Sequence, residues 1–227
     1  RVFPVANTSQ AIIDCFENAV DELGIKVLKN HGVTSIQKEE NHWAINTKNE
    51  TFTADKLVVA AGSSNKAWEL AKNLEHTIIE PVPSLFTFNI KDKRIIDILG
   101  ISVPNATVTI VGTKLESSGP LLITHWGMSG PAVLKLSAFG ARILAEKNYQ
   151  YNVEVNWLSR PTDKIINVLL NLKKKQPKKQ VFLKSPFTEI PRRLWERLVI
   201  ASDISENFKW ADLSNNHIDK LANQLTK

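Results

Sequence analysis

Residues 124–131, Thr-His-Trp-Gly-Met-Ser-Gly-Pro, hold the densest group of chemically useful residues in the sequence. His125 stands at the end of a predicted strand, Gly127 follows it, and Ser129 and Gly130 precede the proline that opens a predicted helix. The free backbone amides of a helix start attract negative charge, so this layout suits an anion or a carbonyl oxygen. A structural role for His125 and an ordinary helix cap at Ser129 are the alternative interpretations.

The same motif does not fit a serine nucleophile. The Gly-x-Ser-x-Gly turn of serine hydrolases requires a glycine where this chain has Pro131. The single Cys15 excludes a multi-cysteine zinc site, and the 5 histidines show no His-x-x-x-His spacing, so we predict no metal. Cys15 shares the apolar face of a predicted helix, and we interpret it as a half-buried core thiol.

A second candidate region is residues 57–62, Leu-Val-Val-Ala-Ala-Gly. Its apolar run does not alternate with polar residues, which predicts a strand buried on both faces of a parallel sheet. Small residues such as Ala61 and Gly62 at the end of a strand let a ligand or another backbone approach closely, and plain tight packing is the alternative. The sequence contains no Gly-x-Gly-x-x-Gly, so no segment of it is predicted to hold a pyrophosphate.

The third region is basic. The chain carries 29 Lys and Arg against 23 Asp and Glu, and the whole excess falls in residues 161–227, with thirteen basic and seven acidic residues. Lysines are densest in residues 173–179, which are followed by Lys184, Arg192, Arg193 and Arg197. Such a group could contact phosphates electrostatically, and a solvated helix face is the alternative. Trp195 and Trp210 are spaced like core anchors of small helices.

The elements that must position these regions change in type along the chain. Hydrophobic spacing predicts a first helix over residues 10–23, capped by Ser9, and a further helix over 66–74. An antiparallel meander is predicted between them, from strands at 25–28, 32–36, 42–45 and 51–53. Further strands are predicted at 85–90, 106–111, 121–125 and 151–157, and further helices at 129–146, 162–174, 191–200 and 214–225.

Composition bounds the class of protein. A chain of 227 residues that is 43% hydrophobic predicts a globular fold with a buried core, and its longest apolar run is far shorter than a membrane span. One cysteine fits a reducing compartment, so we expect the cytoplasm. The chain begins with Arg-Val-Phe-Pro, without an initiator methionine or a signal-peptide layout, and we interpret it as a segment of a longer protein.

Four motifs resemble the YhiN/BaiN-type NAD(P)/FAD-dependent oxidoreductases, a family of bacterial flavoproteins. Residues 1–5, Arg-Val-Phe-Pro-Val, resemble a segment that precedes a helix in that family. Residues 57–62 resemble its Ala-Thr-Gly strand, with Ala61 in place of the threonine, and residues 81–85, Pro-Val-Pro-Ser-Leu, resemble the start of its inserted domain. Residues 124–134 are similar to its Thr-His-x-Gly-x-Ser-Gly-Pro-Ala-Ile-Leu signature, the most specific of the four.

The resemblance implies a mixed α+β fold. The prolines at 81 and 83 and the change in charge near Arg160 indicate where the chain divides into domains. Residues 1–80 would be a partial FAD-binding, Rossmann-like domain, residues 81–160 an inserted β-barrel-like domain, and residues 161–227 a basic helical subdomain. FAD would be the cofactor of the full-length protein, with NAD(P)H as a candidate hydride source and a small organic molecule as substrate. The family's two glycine-rich cofactor segments lie outside this chain, so we expect the isolated chain to be inactive without the rest of its FAD domain.

Two groups of site residues follow from the resemblance. Val33 would lie beside the adenine, and Ala61 and Gly62 would approach the dinucleotide.

The second group would face the flavin or the substrate. It consists of Gly127, Ser129 and Gly130, together with His125 as a catalytic residue that assists proton transfer. This hypothesis includes no membrane or nucleic-acid partner. The alternative hypothesis is a non-catalytic module that recognises RNA or an acidic partner through its basic helices.

Overall fold

Apolar residues at three- and four-residue intervals form the first helix, α1 (Gln10–Glu22), in a computed structural model that describes residues 3–227. The first two residues of the 1–5 motif lie outside the described residues. Ser9 does not cap α1 through its side chain, because its backbone is helical rather than extended. No residue of α1 is buried, and Cys15 is exposed, so the expected half-buried core thiol is wrong.

The predicted antiparallel meander is confirmed over three of its four strands. β1 (Val33–Lys38), β2 (Trp43–Thr47) and β3 (Thr51–Ala54) form a sheet in the order β1-β2-β3. Residues 25–28 form no strand, because nothing within residues 3–80 pairs with them. The next helix, α2 (Asn65–Asn73), begins where Ser64 Oγ accepts a hydrogen bond from the Ala67 amide at 3.4 Å.

The expected buried parallel strand at residues 57–62 is wrong for this structure. The segment has no regular secondary structure and forms no ladder with any described strand, and Val58 and Val59 are 85% and 52% exposed. A strand that is buried on both faces needs a hydrogen-bonded neighbour and a layer on each side. Within residues 3–80 the only sheet is the meander, which does not extend to this segment.

The structure divides at Pro81 into two units, Arg1–Glu80 and Pro81–Lys227. The second unit contains a five-stranded antiparallel sheet in the order β4-β7-β6-β5-β8. Its strands are β4 (Phe88–Asn89), β5 (Ser102–Ile110), β6 (Glu116–Thr124), β7 (Gly127–Ser129) and β8 (Val153–Asn156). The sheet has the form of a half-barrel whose two edge strands, β4 and β8, do not pair with each other.

Helices cover this sheet and complete the unit. The helix predicted over residues 129–146 is interrupted at Gly140, which separates α3 (Pro131–Phe139) from α4 (Ala141–Glu146). The three later helices are close to their predicted spans, namely α5 (Thr162–Lys175), α6 (Arg192–Ala201) and α7 (Asn215–Thr226). A short 3-10 helix, Trp210–Asp212, lies between the last two.

One hydrophobic core runs through the second unit. It includes buried residues of the sheet, such as Val103 and Leu121, and of the later helices, such as Leu169 and Leu225. Trp195 and Trp210 are buried in it, as expected of core anchors. The mixed α+β class is therefore confirmed. Among residues 3–227, none of the helices combines the length and the apolar character needed to span a bilayer.

Candidate functional site

His125 lies in a two-residue turn that joins β6 to β7. Thr124 pairs with Gly127 across this hairpin, which leaves His125 and Trp126 at its tip. Both side chains are exposed, and the His125 imidazole makes no hydrogen bond with any described residue. The imidazole is therefore accessible to a molecule that reaches this turn.

Gly127 fits tightly against a neighbouring strand. Its φ is +141°, and a β-carbon at this position would lie 2.4 Å from the Ile90 amide nitrogen and 2.5 Å from the Phe88 carbonyl oxygen. Directly after β4, the Ile90 amide donates a hydrogen bond of 2.7 Å to the Trp126 carbonyl at the tip of the hairpin. The space that the missing β-carbon leaves at Gly127 is thus occupied by the backbone of Phe88 and Ile90.

The start of α3 is packed in the same way. Gly130 caps the helix with a φ of +94°, and a β-carbon on it would lie 2.7 Å from the Pro120 carbonyl oxygen. Ser129 lies in β7, and no side chain caps α3. The first-turn residues Ala132 and Val133 are fully buried, whereas Pro131 at the start of the helix is exposed.

Thr124 carries a buried hydroxyl without a partner. Its Oγ1 is inaccessible to solvent and forms no hydrogen bond with the described residues. Leaving such a group unpaired costs about 1–3 kcal/mol, and the atom lies one residue before His125. This orphaned donor is the one buried polar side-chain atom of residues 3–227 that lacks a partner.

Val33 and Ala61 are brought together in the first unit. Both line a cavity of about 320 Å³ between the meander, the segment 57–61 and α2. The remaining lining residues are also apolar: Ile36, Ile45, Leu57, Val58, Val59, Ala60, Ala67 and Leu70. Gly62 follows the segment with a φ of +61° and open space where a β-carbon would be.

This apolar cavity fits one part of FAD and not another. A flat ring such as adenine can pack between the aliphatic side chains of a pocket of this kind. The lining contains no cation and no polar side chain, so it offers nothing to a pyrophosphate. The fit to the cofactor within residues 3–80 is therefore limited to the adenine end.

A larger cleft lies in the second unit, between the two edges of the half-barrel. Its volume is about 650 Å³, and it is lined on one side by Pro83 and residues 86–91 and on the other by residues 149–151 and Val153. Four aromatic rings form much of its wall, namely Phe86, Phe88, Tyr149 and Tyr151. This cleft was not predicted from the sequence, although the spacing of two residues within each aromatic pair places both rings on one face of an extended segment.

Two ionisable groups near the half-barrel have shifted pKa values. Hydrogen bonds from Arg94 hold the pKa of the Asp92 carboxyl below its usual range. The Arg94 Nε lies 3.1 Å from both Asp92 oxygens, and the same guanidinium donates at 2.8 Å to the Gln224 amide oxygen of α7. Burial raises the pKa of the Tyr151 hydroxyl to about 12, so this phenol is neutral at physiological pH.

The lysine segment is exposed and largely unpaired. Lys173 donates to the Leu213 carbonyl, but five lysines form no ion pair in the described chain: Lys174, Lys175, Lys178, Lys179 and Lys184. The turn that carries Lys179 is fixed by backbone hydrogen bonds, because the Trp210 amide donates to the Lys179 carbonyl at 2.9 Å. The segment therefore presents concentrated positive charge, and the turn at Lys179 is held by backbone hydrogen bonds.

The second unit is defined by a curved antiparallel sheet that carries a helical module on a single core. Residues 82–227 match the sequence model of the family described as the HI0933-like protein barrel and H2TH domain. The chain belongs to this family.

Curated relatives agree with this assignment. The chain is 24% identical over 226 residues to a 3-dehydro-bile acid delta(4,6)-reductase of Clostridium scindens, covering 93% of this chain and 54% of the relative. It is 26% identical over 196 residues to a ribosomal RNA dihydrouridine synthase of Haemophilus influenzae, covering 77% and 48%. A protein of the same name from Escherichia coli is 23% identical over 205 residues, covering 85% and 48%.

These matches confirm the resemblance to the YhiN/BaiN-type flavoproteins, and the family is one of FAD oxidoreductases. The chain spans about half the length of the curated relatives that it matches.

Proposed function

We propose that the intact protein is an FAD-dependent oxidoreductase that reduces a carbon–carbon double bond conjugated to a carbonyl group, with NAD(P)H as the source of reducing equivalents. The observation that carries this proposal is the chemistry that the relatives' names share. One relative is named as a delta(4,6)-reductase of a keto acid, and two are named as dihydrouridine synthases. Dihydrouridine is uridine in which the double bond conjugated to a ring carbonyl is saturated.

The residues of this chain would contribute binding and proton transfer. The apolar cavity beside Val33 and Ala61 would hold the adenine ring of FAD, with Gly62 leaving room for the chain that follows the ring. When bound, the flavin supplies the hydride. Addition of a hydride to a conjugated double bond leaves negative charge on the carbonyl oxygen, and one proton completes the reduction. His125 is exposed and free of hydrogen bonds, and we assign it the transfer of this proton.

The hairpin glycines support His125 indirectly. Gly127 and Gly130 allow β7 and α3 to pack closely against β4 and β6, which fixes the turn that carries His125. In this proposal, Ser129 and both glycines stay close to the flavin or the substrate. Parts of the FAD domain outside this chain would complete the pyrophosphate site, so the 227-residue chain would be inactive alone. We propose the cytoplasm as its location.

The visible absorption spectrum tests the proposal directly. The protein from the complete reading frame and the 227-residue chain are purified in parallel, without added flavin and after reconstitution with FAD. We expect flavin absorption in the longer protein and none in the shorter chain. The coloured protein should oxidise NADH or NADPH when a conjugated ketone is added. A colourless longer protein that does not take up FAD would contradict the proposal.

A second candidate function is recognition of RNA through the basic helices. The specific observation that favours it is the group of five exposed lysines without acidic partners in residues 174–184. Lysines that are not neutralised by nearby carboxylates can release counterions from a nucleic acid backbone. Two relatives are named for an action on ribosomal RNA, which makes RNA the polyanion to test.

A further inference from the structure

We infer that the cleft between strands β4 and β8 binds the substrate, a flat carbonyl-conjugated ring that carries an anionic group. This inference rests on the proposed reduction of a conjugated double bond and identifies where the ring would bind. The cleft has a volume of about 650 Å³. Small-molecule sites are typically clefts of about 300–1,000 Å³ with aromatic walls and a few polar groups.

The aromatic wall of the cleft is formed by two pairs that cross from one edge to the other. The Phe86 and Tyr149 rings lie 5.8 Å apart at 79°, and the Phe88 and Tyr151 rings lie 5.3 Å apart at 72°. Such edge-to-face contacts hold the rings in fixed positions. They link two segments that share no backbone hydrogen bonds. Phe88 is buried, and the partly exposed rings of Phe86, Tyr149 and Tyr151 leave surface on which a flat ligand can pack.

Polar groups around the cleft are available to a ligand. Asn89, Lys91 and Gln150 line it, and none of their side chains forms a hydrogen bond or an ion pair with a described residue. Tyr151 also lacks a hydrogen-bond partner, and its pKa of about 12 keeps the hydroxyl protonated as a donor. An amide or phenol hydroxyl suits a carbonyl oxygen, and the Lys91 ammonium suits a carboxylate or a phosphate.

The cleft also has a fixed relation to the hairpin that carries His125. Asn89 pairs with Gly127, and the Ile90 amide bonds to the Trp126 carbonyl, so β4 lies between the cleft and the hairpin. Neighbouring strands in a sheet are about 4.8 Å apart. A ring in the cleft would therefore lie along the same strand that fixes the turn of His125.

Two probes separate the ligands that share this chemistry. A 3-oxo-4,6-diene steroid carboxylic acid and uridine 5′-monophosphate both combine a conjugated carbonyl ring with an anion. Binding of each probe to the 227-residue chain is measured by isothermal titration calorimetry, without flavin. We expect one of the two to bind. Absence of heat with both probes up to millimolar concentration would overturn the inference.

Three variants locate the binding. Lys91→Met should weaken binding of the anionic probe about tenfold, because a charge-assisted hydrogen bond is lost. Lys93→Met is the matched control, since Lys93 is an exposed lysine two residues away that does not line the cleft, and it should leave the affinity unchanged. Tyr149→Ala removes one aromatic ring of the wall and should weaken binding of both the steroid carboxylic acid and its uncharged ester, which serves as a third probe. Equal effects of the two lysine variants, or no effect of Tyr149→Ala, would place the ligand elsewhere.

This experiment is independent of the flavin test. Binding to the cleft by a protein whose full-length form takes up no FAD would leave the inference intact and remove the proposed reduction. A flavin-containing protein whose probes ignore the cleft variants would retain the oxidoreductase proposal and overturn the inference.

Discussion

A β-carbon on Gly127 would lie 2.4 Å from the amide nitrogen of Ile90, closer than any real β-carbon approaches a backbone atom. Next to it, the Ile90 amide donates to the Trp126 carbonyl at 2.7 Å. The absence of a β-carbon at Gly127 and the hydrogen bond from Ile90 together allow residues 88–90 to pack against β7. The glycine of the Thr-His-x-Gly signature therefore has a structural reason within this chain, before any ligand is considered.

Replacement of Gly127 by alanine should destabilise the second unit strongly. The new methyl group meets backbone atoms that cannot move away cheaply, and a φ of +141° is strained for an alanine. Overpacking and backbone strain each cost about 1–3 kcal/mol, so we expect a loss of about 3 kcal/mol in the free energy of unfolding. Urea denaturation followed by tryptophan fluorescence measures it.

Gly112→Ala is the control for this prediction. Gly112 also has a positive φ, +77°, but nothing lies within 4 Å of the β-carbon position. This variant should cost only the backbone strain, about 1 kcal/mol. Equal losses in the two variants would show that the contact with Ile90 is not the cause.

Much of the fold could be predicted from local patterns. The helices at 162–174, 191–200 and 214–225 were found within one or two residues because their apolar spacing agrees with the face that they bury. The meander followed from alternation and from its polar turn. In the candidate site, the position of Gly130 before a helix could also be predicted, and His125, predicted as the last residue of a strand, lies in the turn directly after it.

The features that were not predicted have a different cause, because each of them depends on residues that are distant in the sequence. The run at 57–62 has the composition of a buried strand, but no described strand pairs with it. β7 has only three residues, too few for a detectable period. The burial of Ala132 depends on packing of α3 against β6, which no local pattern contains.

Asp92 should make stability depend on pH in the acid range. Arg94 lowers its pKa below the ordinary value of 3.8, so its contribution is present above that value and is lost as the pH falls through the lowered pKa of the folded state. Asp92→Asn should therefore cost about 1 kcal/mol at pH 7, with a difference from the parent that shrinks below about pH 4.

Urea titrations between pH 3 and pH 7 measure this difference. Asp219→Asn is the control, because Asp219 is exposed and forms no ion pair in the described chain. A difference for Asp92→Asn that stays constant down to pH 3 would show that the pair with Arg94 does not set the pH dependence.

His125→Ala should separate catalysis from folding. The side chain is exposed and makes no hydrogen bond, so we expect the free energy of unfolding to change by less than about 0.5 kcal/mol. In the flavin-loaded full-length protein, turnover should fall about 100-fold while flavin content stays normal, because a proton donor is lost.

Steady-state kinetics at several pH values and the flavin-to-protein ratio measure the two effects. His76→Ala removes another exposed histidine and should leave turnover unchanged. Normal turnover in His125→Ala would remove His125 from the mechanism.

The basic segment gives a prediction that tests the second candidate function. If RNA binds there, the double variant Lys179→Ala/Lys184→Ala should weaken binding about tenfold at physiological salt, and the slope of log affinity against log salt should fall by about 1 for each lost phosphate contact. Fluorescence anisotropy with a labelled RNA at several salt concentrations measures both.

The double variant Lys135→Ala/Lys147→Ala removes the same charge from exposed positions outside the segment and should leave the slope nearly unchanged. Equal weakening by both variants would indicate a response to net charge alone, and no measurable affinity in the parent chain would mean that the five lysines form a solvated face.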